Sequence, residues 1–238
     1  NDEIGILNEE LNRLSTLKAE EIFEAGSIMT IYRSHEADGP TASPAYRASA
    51  QIPRTLGIAQ ELLGDELYIH NSRIYLKKAF NGLPMLWHQD YGYWRLDGVR
   101  TPSLATVMIM LGDVTALSGA LWVIPRSHKL GLLKHSAQFQ GEHKQIAVRP
   151  TELERVFPAL PEPVVLEGKA GTAAIFHANT IHGSGINLSN KDRWQFYLAF
   201  NQTSNAPSHT GLSRPDYMSS RNTVALSVVE EDAILAAQ

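Results

Sequence analysis

Arg193-Trp194-Gln195-Phe196-Tyr197-Leu198-Ala199-Phe200 is an apolar, aromatic-rich strand opened by a cation. Working outward, other short runs share its texture. Leu67–Phe80 alternates broadly and Leu104–Leu111 is a near-continuous apolar run; Ala120–Ile124, Pro163–Leu166 and Thr172–Phe176 are shorter ones. Gly, Pro, Asn and Asp turns separate them, a pattern that predicts a sandwich or barrel. Residues 8–25 place Leu11, Leu14, Leu17, Ile22 and Phe23 among charged residues. That spacing predicts an amphipathic helix with Asn8 near its cap. Residues 34–50, rich in Ser, Pro, Gly, Ala and Asp, read as a loop over a site. Short helices are expected over Arg54–Leu63, closed by Gly64, over Thr151–Phe157, and over Val228–Ala237 at the C-terminal end.

Helices flanking a run of antiparallel strands predict a mainly β fold with a double-stranded β-helix core, the jelly-roll of cupin-like proteins. One domain is expected over 1–238: a helical part to about residue 65, a core over about 66–205, and a tail with a helix beyond. The 238 residues are 43% hydrophobic and 19% charged, ordinary for a globular protein. A net charge of −4 argues against a chain-wide affinity for nucleic acid or anionic membranes, while a local basic pocket, as for a small-molecule substrate, stays open. The absence of cysteine excludes disulfides, thiolate zinc sites, iron–sulfur clusters and cysteine nucleophiles. Any metal must therefore sit on His, Asp, Glu or backbone oxygen. No apolar run nears the roughly 20 residues of a membrane span and no signal peptide is visible, so a cytoplasmic location is expected. The sequence opens at Asn1 without Met, and allowance is made for a preceding segment.

His88-Gln89-Asp90 is a His-x-Asp step, and alternate residues of a strand face one side, so both side chains can aim at one point. His182 lies downstream in Phe176-His-Ala-Asn-Thr-Ile-His-Gly-Ser184. Two imidazoles and a carboxylate form the facial triad of non-haem iron(II) oxygenases, with adjacent positions open for a bidentate co-substrate and dioxygen. A lone His-x-Asp pair among nine histidines is more often structural. His128, His135 and His143 read as solvated loop residues, and His177 as the end of a strand pointing away. Arg193 shifts the balance, because a cation there can reach back toward His182 and pair bidentately with the distal carboxylate of 2-oxoglutarate.

Four stretches extend this constellation: Ile69-His-Asn-Ser-Arg-Ile-Tyr75, Trp87-His-Gln-Asp-Tyr-Gly-Tyr-Trp94, Gly119-Ala-Leu-Trp-Val-Ile-Pro-Arg-Ser-His128 and Asn179-Thr-Ile-His-Gly-Ser184. Over roughly Leu67 to Tyr217 the sequence resembles the phytanoyl-CoA dioxygenase superfamily, and within it the bacterial branch of ectoine hydroxylase and free-amino-acid hydroxylases. The resemblance implies Fe(II) on His88, Asp90 and His182, and 2-oxoglutarate held by Arg193 with Ser184, Asn71 and Tyr75 around it. It implies a substrate pocket at Arg73, Trp94 and Gln195, with Arg73 anchoring a carboxylate. The implied reaction uses O2 to hydroxylate an unactivated C–H bond of a free amino acid or derivative, releasing succinate and CO2. Met85, Tyr75 and Gln195 depart from the ectoine enzyme, which has an aromatic residue, Asn and Asn there, and this points to another substrate. With Asp90 present, halogenation is not expected.

Trp87, Trp122 and Trp194 read as core residues. Desaturation, epoxidation and cyclisation remain open as outcomes, since they share the first hydrogen abstraction. A non-redox cupin-like metalloenzyme and an inactive binding module are the rival classes. Arg193 with Ser184 argues against the first, and the intact triad against the second.

Overall fold

The strand that begins at Arg193 lies inside a six-stranded antiparallel sheet, flanked on both sides. The computed structural model describes residues 2–64, 66–140, 143–207, 215–220 and 222–237. In chain order the strands are β1 (Ile22–Ala25), β2 (Ile28–Tyr32), β3 (Leu67–Lys77), β4 (Met85–His88), β5 (Leu104–Met110), β6 (Leu121–Val123), β7 (His135–Gln140), β8 (His143–Val148), β9 (Val164–Leu166), β10 (Ala173–His177), β11 (His182–Ser184) and β12 (Arg193–Gln202). The helices are α1 (Asp2–Ser15), α2 (Pro44–Gln51), α3 (Ile58–Leu63), α4 (Tyr91–Trp94) and α5 (Pro150–Val156). The large sheet runs β1-β2-β3-β12-β5-β10, a four-stranded sheet runs β4-β11-β6-β9, and β7-β8 form a separate hairpin.

Strand alternation divides β12 between two environments. Phe196, Leu198 and Phe200 are buried against Leu7, Leu14, Tyr46 and Leu56 of the helical layer. Arg193, Gln195 and Tyr197 take the other face. The register carries this division to the neighbours: Arg193 lies opposite Lys77, Gln195 opposite Tyr75 and Tyr197 opposite Arg73 on β3, while Tyr197 meets Met108 and Ala199 meets Thr106 on β5. One face of the large sheet is thus apolar and covered by helices, and the other is lined with cations, hydroxyls and amides.

Local signals account for the helical layer. Ile6, Leu7, Leu11 and Leu14 form the buried stripe of α1, with Asp2 and Glu3 at its start and Arg13 in its last turn, as the helix dipole favours. The Ser43 side chain caps α2, which has Pro44 in its first turn. A π-helical turn over Pro53–Gly57 leads into α3, which ends at left-handed Gly64 as expected.

Several expectations are corrected. The N-terminal helix stops at Ser15, and Ile22 and Phe23 belong to β1, paired with Ile31 and Thr30. A β-branched and an aromatic residue gain more from that hairpin than from a further helical turn. Asn8 is not a cap; its Nδ2 donates to the Leu111 carbonyl at 3.0 Å. Residues 44–51 are helical, with Ala45, Tyr46 and Ala50 buried and the Tyr46 hydroxyl donating to the Leu7 carbonyl. The C-terminal helix reduces to a 3-10 turn over Leu235–Ala237. Among the described residues, no helix is long and apolar enough to cross a membrane.

Phe196 is fully buried and meets Tyr46 edge-on with ring centroids 4.8 Å apart, joining sheet to helical layer. Phe196→Ala is expected to cost about 3–5 kcal/mol in equilibrium urea unfolding, and a loss under about 1 kcal/mol would show that this contact does not support the core.

Candidate active site

β4 and β11 are neighbours, and His88 and His182 are Cα partners across them, with ring centroids 4.1 Å apart. Each Nδ1 is tied to the carbonyl two residues before it, His88 to Leu86 at 2.8 Å and His182 to Thr180 at 3.0 Å. A neutral ring that donates through Nδ1 keeps its lone pair on Nε2. Both Nε2 atoms approach Asp90 Oδ1, at 3.8 Å from His88 and 3.7 Å from His182, too far for hydrogen bonds. Burial pushes His88 down to about 3 and also lowers His182, so both rings are neutral at ordinary pH. Burial works to raise the Asp90 carboxyl, but His182, Arg73, His88 and the Thr106 hydroxyl together hold it below the usual carboxylate range. Three buried ligand atoms, all within 4.8 Å of one another and with no hydrogen bond between them, fit a divalent cation.

His88 and Asp90 converge by a route other than simple strand alternation. β4 ends at His88, and Asp90 has helical backbone angles at the start of α4. Gln89 between them is fully buried. Its amide donates to the carbonyls of Gly131 (2.8 Å) and Asn179 (2.7 Å), and its oxygen accepts from the Leu133 amide (2.8 Å). One side chain thereby fastens the metal-bearing turn to the loop before His182 and to the approach to β7.

Beside the triad is a small cavity of about 40 Å³ lined by Tyr75, Met85, His182, Ser184, Arg193 and Tyr197, among others. Arg193 is buried, and its Nε and Nη1 have no hydrogen-bond partner among the described residues; the Tyr75 hydroxyl and Gln195 Nε2 are likewise unpartnered. Lys77, opposite Arg193 in the ladder, is also fully buried and donates to Ser184 Oγ at 2.8 Å and to the Gly185 carbonyl. Burial, and then the Arg193 charge, push the Lys77 amine down to about 6. A buried guanidinium with two open donors, beside a buried amine that an added negative charge would protonate, suits an anion. A dicarboxylate suits this donor set, with one end at Arg193 and Ser184 and the other toward the metal.

A larger cavity of about 430 Å³ opens in front of the triad, with Phe23, Thr30, Tyr32, Tyr93, Lys144 and Met218 in its wall. Of the residues singled out from sequence, Trp94 lines it and packs on His70, whose Nε2 lies 3.1 Å from Asp97. Arg73 lines both cavities, 4.0 Å from Asp90 Oδ1 and 5.1 Å from the Tyr197 ring centroid. Asn71, expected near the co-substrate, lies instead in the larger cavity, its amide donating to the Met218 carbonyl. Gln195, expected in the substrate wall, lines neither cavity; its oxygen accepts from the Tyr197 hydroxyl at 2.7 Å. Residues 34–50 line neither cavity and do not form a lid, because α2 is committed to the helical core. Met218 and, from β8, Lys144 and Gln145 line the larger cavity.

Gln145 pins the hairpin to β4, accepting from the Leu86 amide and donating to the Pro84 carbonyl, each at 3.0 Å. His135 is a half-buried strand residue whose Nε2 accepts from the Gln89 amide, not a solvated loop residue. The His143 side chain lies outside the described residues. His177 ends β10 and pairs with His128, away from the triad, as expected. Lys77, Gln89, Thr106 and Gln145 escaped the sequence reading. Only Lys77 had a usable signal, the two-residue step from Arg73 and Tyr75.

Two histidines and a carboxylate beside an anion-seeking pocket define a mononuclear metal centre with an open face. The profile of the phytanoyl-CoA dioxygenase (PhyH) family matches residues 3–194, and the chain belongs to that family. It is 28% identical over 231 residues to L-proline trans-4-hydroxylase of Streptomyces griseoviridis, covering 91% of this chain and 83% of the relative. It is 30% identical over 238 residues to ectoine dioxygenase of Streptomyces coelicolor, covering 93% and 78%. The crystal structure of EctD from S. alaskensis with 2-oxoglutarate and 5-hydroxyectoine superposes with a TM-score of 0.80 at 27% identity, covering 96% of this chain and 79% of that one.

Binding of Mn(II) without oxygen is expected to raise the melting temperature of the wild type and to leave that of His182→Ala unchanged. Equal shifts in the two proteins would place the ion elsewhere.

Proposed function

We propose that the protein is an Fe(II)- and 2-oxoglutarate-dependent oxygenase that hydroxylates an unactivated C–H bond of a free amino acid or amino-acid derivative. The observation that carries this reading is the buried Arg193, with two open donors, beside Lys77 and within one small cavity of the triad. A non-redox metalloenzyme leaves those open donors without a purpose. Relatives named for proline and ectoine support the substrate class. The order of strands in the two sheets supports a double-stranded β-helix core. One apolar cluster joining α1, α2, β12 and Ile234 supports reading the chain as a single domain.

His88, Asp90 and His182 are the residues to hold iron; when bound, it couples oxidative decarboxylation of 2-oxoglutarate by O2, to succinate and CO2, with oxygen insertion into the substrate C–H bond. Arg193 would take the distal carboxylate in a forked pair, with Ser184 and Lys77 at its side and the Tyr75 hydroxyl as a further donor. In the larger cavity, Arg73 and Lys144 are cationic, and Asp90 is the only carboxylate among its described lining residues. That wall favours the carboxylate end of a substrate. Trp94 and Tyr93 supply apolar surface that orients the reacting carbon and keeps water from the centre.

Anaerobic titration with Fe(II) and 2-oxoglutarate should give a weak visible charge-transfer band in wild type, none in His182→Ala, and a weaker one in Arg193→Ala. No band from iron-loaded wild type would sink the oxygenase reading. Lys77 adds a pH signature. With its free-state value pushed down to about 6, it is largely neutral near neutral pH, and a dianion bound beside it favours the charged form. Binding therefore takes up a proton, and affinity rises as pH falls until it levels off below about 6. Calorimetry of the Mn(II)-loaded protein in buffers of different ionisation enthalpy should detect that uptake, and Lys77→Met should abolish it and weaken binding by about tenfold. Binding without proton uptake in wild type would remove Lys77 from this role.

A further inference from the structure

We infer that Thr106 is a positioning residue that holds Asp90 to the metal through one oxygen and so preserves the open coordination face; this rests on the iron and 2-oxoglutarate reading above. The two carboxylate oxygens of Asp90 have different surroundings. Oδ1 points at the Nε2 atoms of His88 and His182, 3.8 and 3.7 Å away, with Arg73 Nη2 at 4.0 Å. Oδ2 turns away and accepts from the Thr106 hydroxyl at 3.0 Å. Asp90 sits on the turn after the four-stranded sheet, whereas Thr106 sits on β5 of the large sheet, so this bond spans the two.

Thr106 is well suited to hold an oxygen in place. It is buried, and β5 is paired on both sides, with Ala199 of β12 and Phe176 of β10 as its Cα partners. Its β-branched side chain has little rotational freedom. An ionised carboxylate only accepts hydrogen bonds, so the hydroxyl proton is directed at Oδ2. Without it, nothing described in the structure retains Oδ2, and carboxylates bind metal ions through one oxygen or two. Two imidazoles and a two-oxygen Asp90 would leave an octahedral metal too few positions for a chelating keto acid and dioxygen together.

The test pairs Thr106→Val, which keeps the shape and removes the hydroxyl, with Thr106→Ser, which keeps the hydroxyl. Fe(II) affinity and the 2-oxoglutarate dependence of the visible band are measured without oxygen. Thr106→Val is expected to bind Fe(II) as tightly as wild type or more so, while its band requires about tenfold more 2-oxoglutarate; Thr106→Ser stays within about twofold of wild type. Unchanged 2-oxoglutarate dependence in Thr106→Val would overturn the inference while leaving the oxygenase reading intact. So would parallel losses of iron and 2-oxoglutarate affinity, the mark of a merely structural role. Wild type without any band would overturn both. Should Thr106→Val not fold, a crystal structure of the Mn(II)-loaded wild type decides: one Asp90 oxygen at bonding distance supports the inference, and two overturn it.

Discussion

Everything at the site depends on the register of β12 between β3 and β5. A slip of one residue would turn Phe196, Leu198 and Phe200 into the site and bury Arg193 and Gln195 against the helices. The helical layer prevents this by giving the aromatic side chains a fitted partner surface. Apolar packing on one face of the sheet therefore fixes the chemistry on the other. The facing sheet uses the same economy, since one pairing of β4 with β11 sets His88 against His182.

The residues on the inner face are poor contributors to stability. Arg193 is a buried cation beside the buried Lys77 amine, and Tyr75 and Gln195 leave polar atoms without partners. Each is costly in a protein interior. They gather on the inner face of β3 and β12, around the small cavity that Arg193 and Tyr75 line, and the large core on the opposite face offsets their cost. Backbone-directed bonds limit the disorder that such a site invites: the Leu86 and Thr180 carbonyls aim the imidazoles, and Gln89 fastens the turn between His88 and Asp90.

The long strands were legible because their apolar runs end in clear turn residues, and the triad because its spacing and Arg193 together leave few alternatives. What stayed hidden had a competing local mark or none. Lys77 shares the strand alternation of Arg73 and Tyr75, but it stands beside half-buried Lys78, which reaches Glu24, and a Lys-Lys pair reads as surface. Thr106 lies within an apolar run where threonine looks like one more strand former. The β1–β2 and β7–β8 hairpins lack a continuous apolar run, and their cross-strand pairing rather than composition makes them strands. Asn71 and Gln195 were assigned by resemblance to positions whose surroundings the hydrogen bonds of Met218 and Tyr197 redefine.

The central place of β12 has a kinetic cost. β12 is last in sequence among the described strands and yet lies inside the large sheet. Until it arrives, β3 and β5 each expose an unpaired edge, the first in a partial sheet with β1 and β2 and the second beside whatever β10 provides. Closing that gap requires contacts far apart in the chain, which slows folding, and open edges in the waiting intermediate can accept a strand from another molecule. Assembly of the active site is thus also the step at which the nascent protein is most exposed to aggregation.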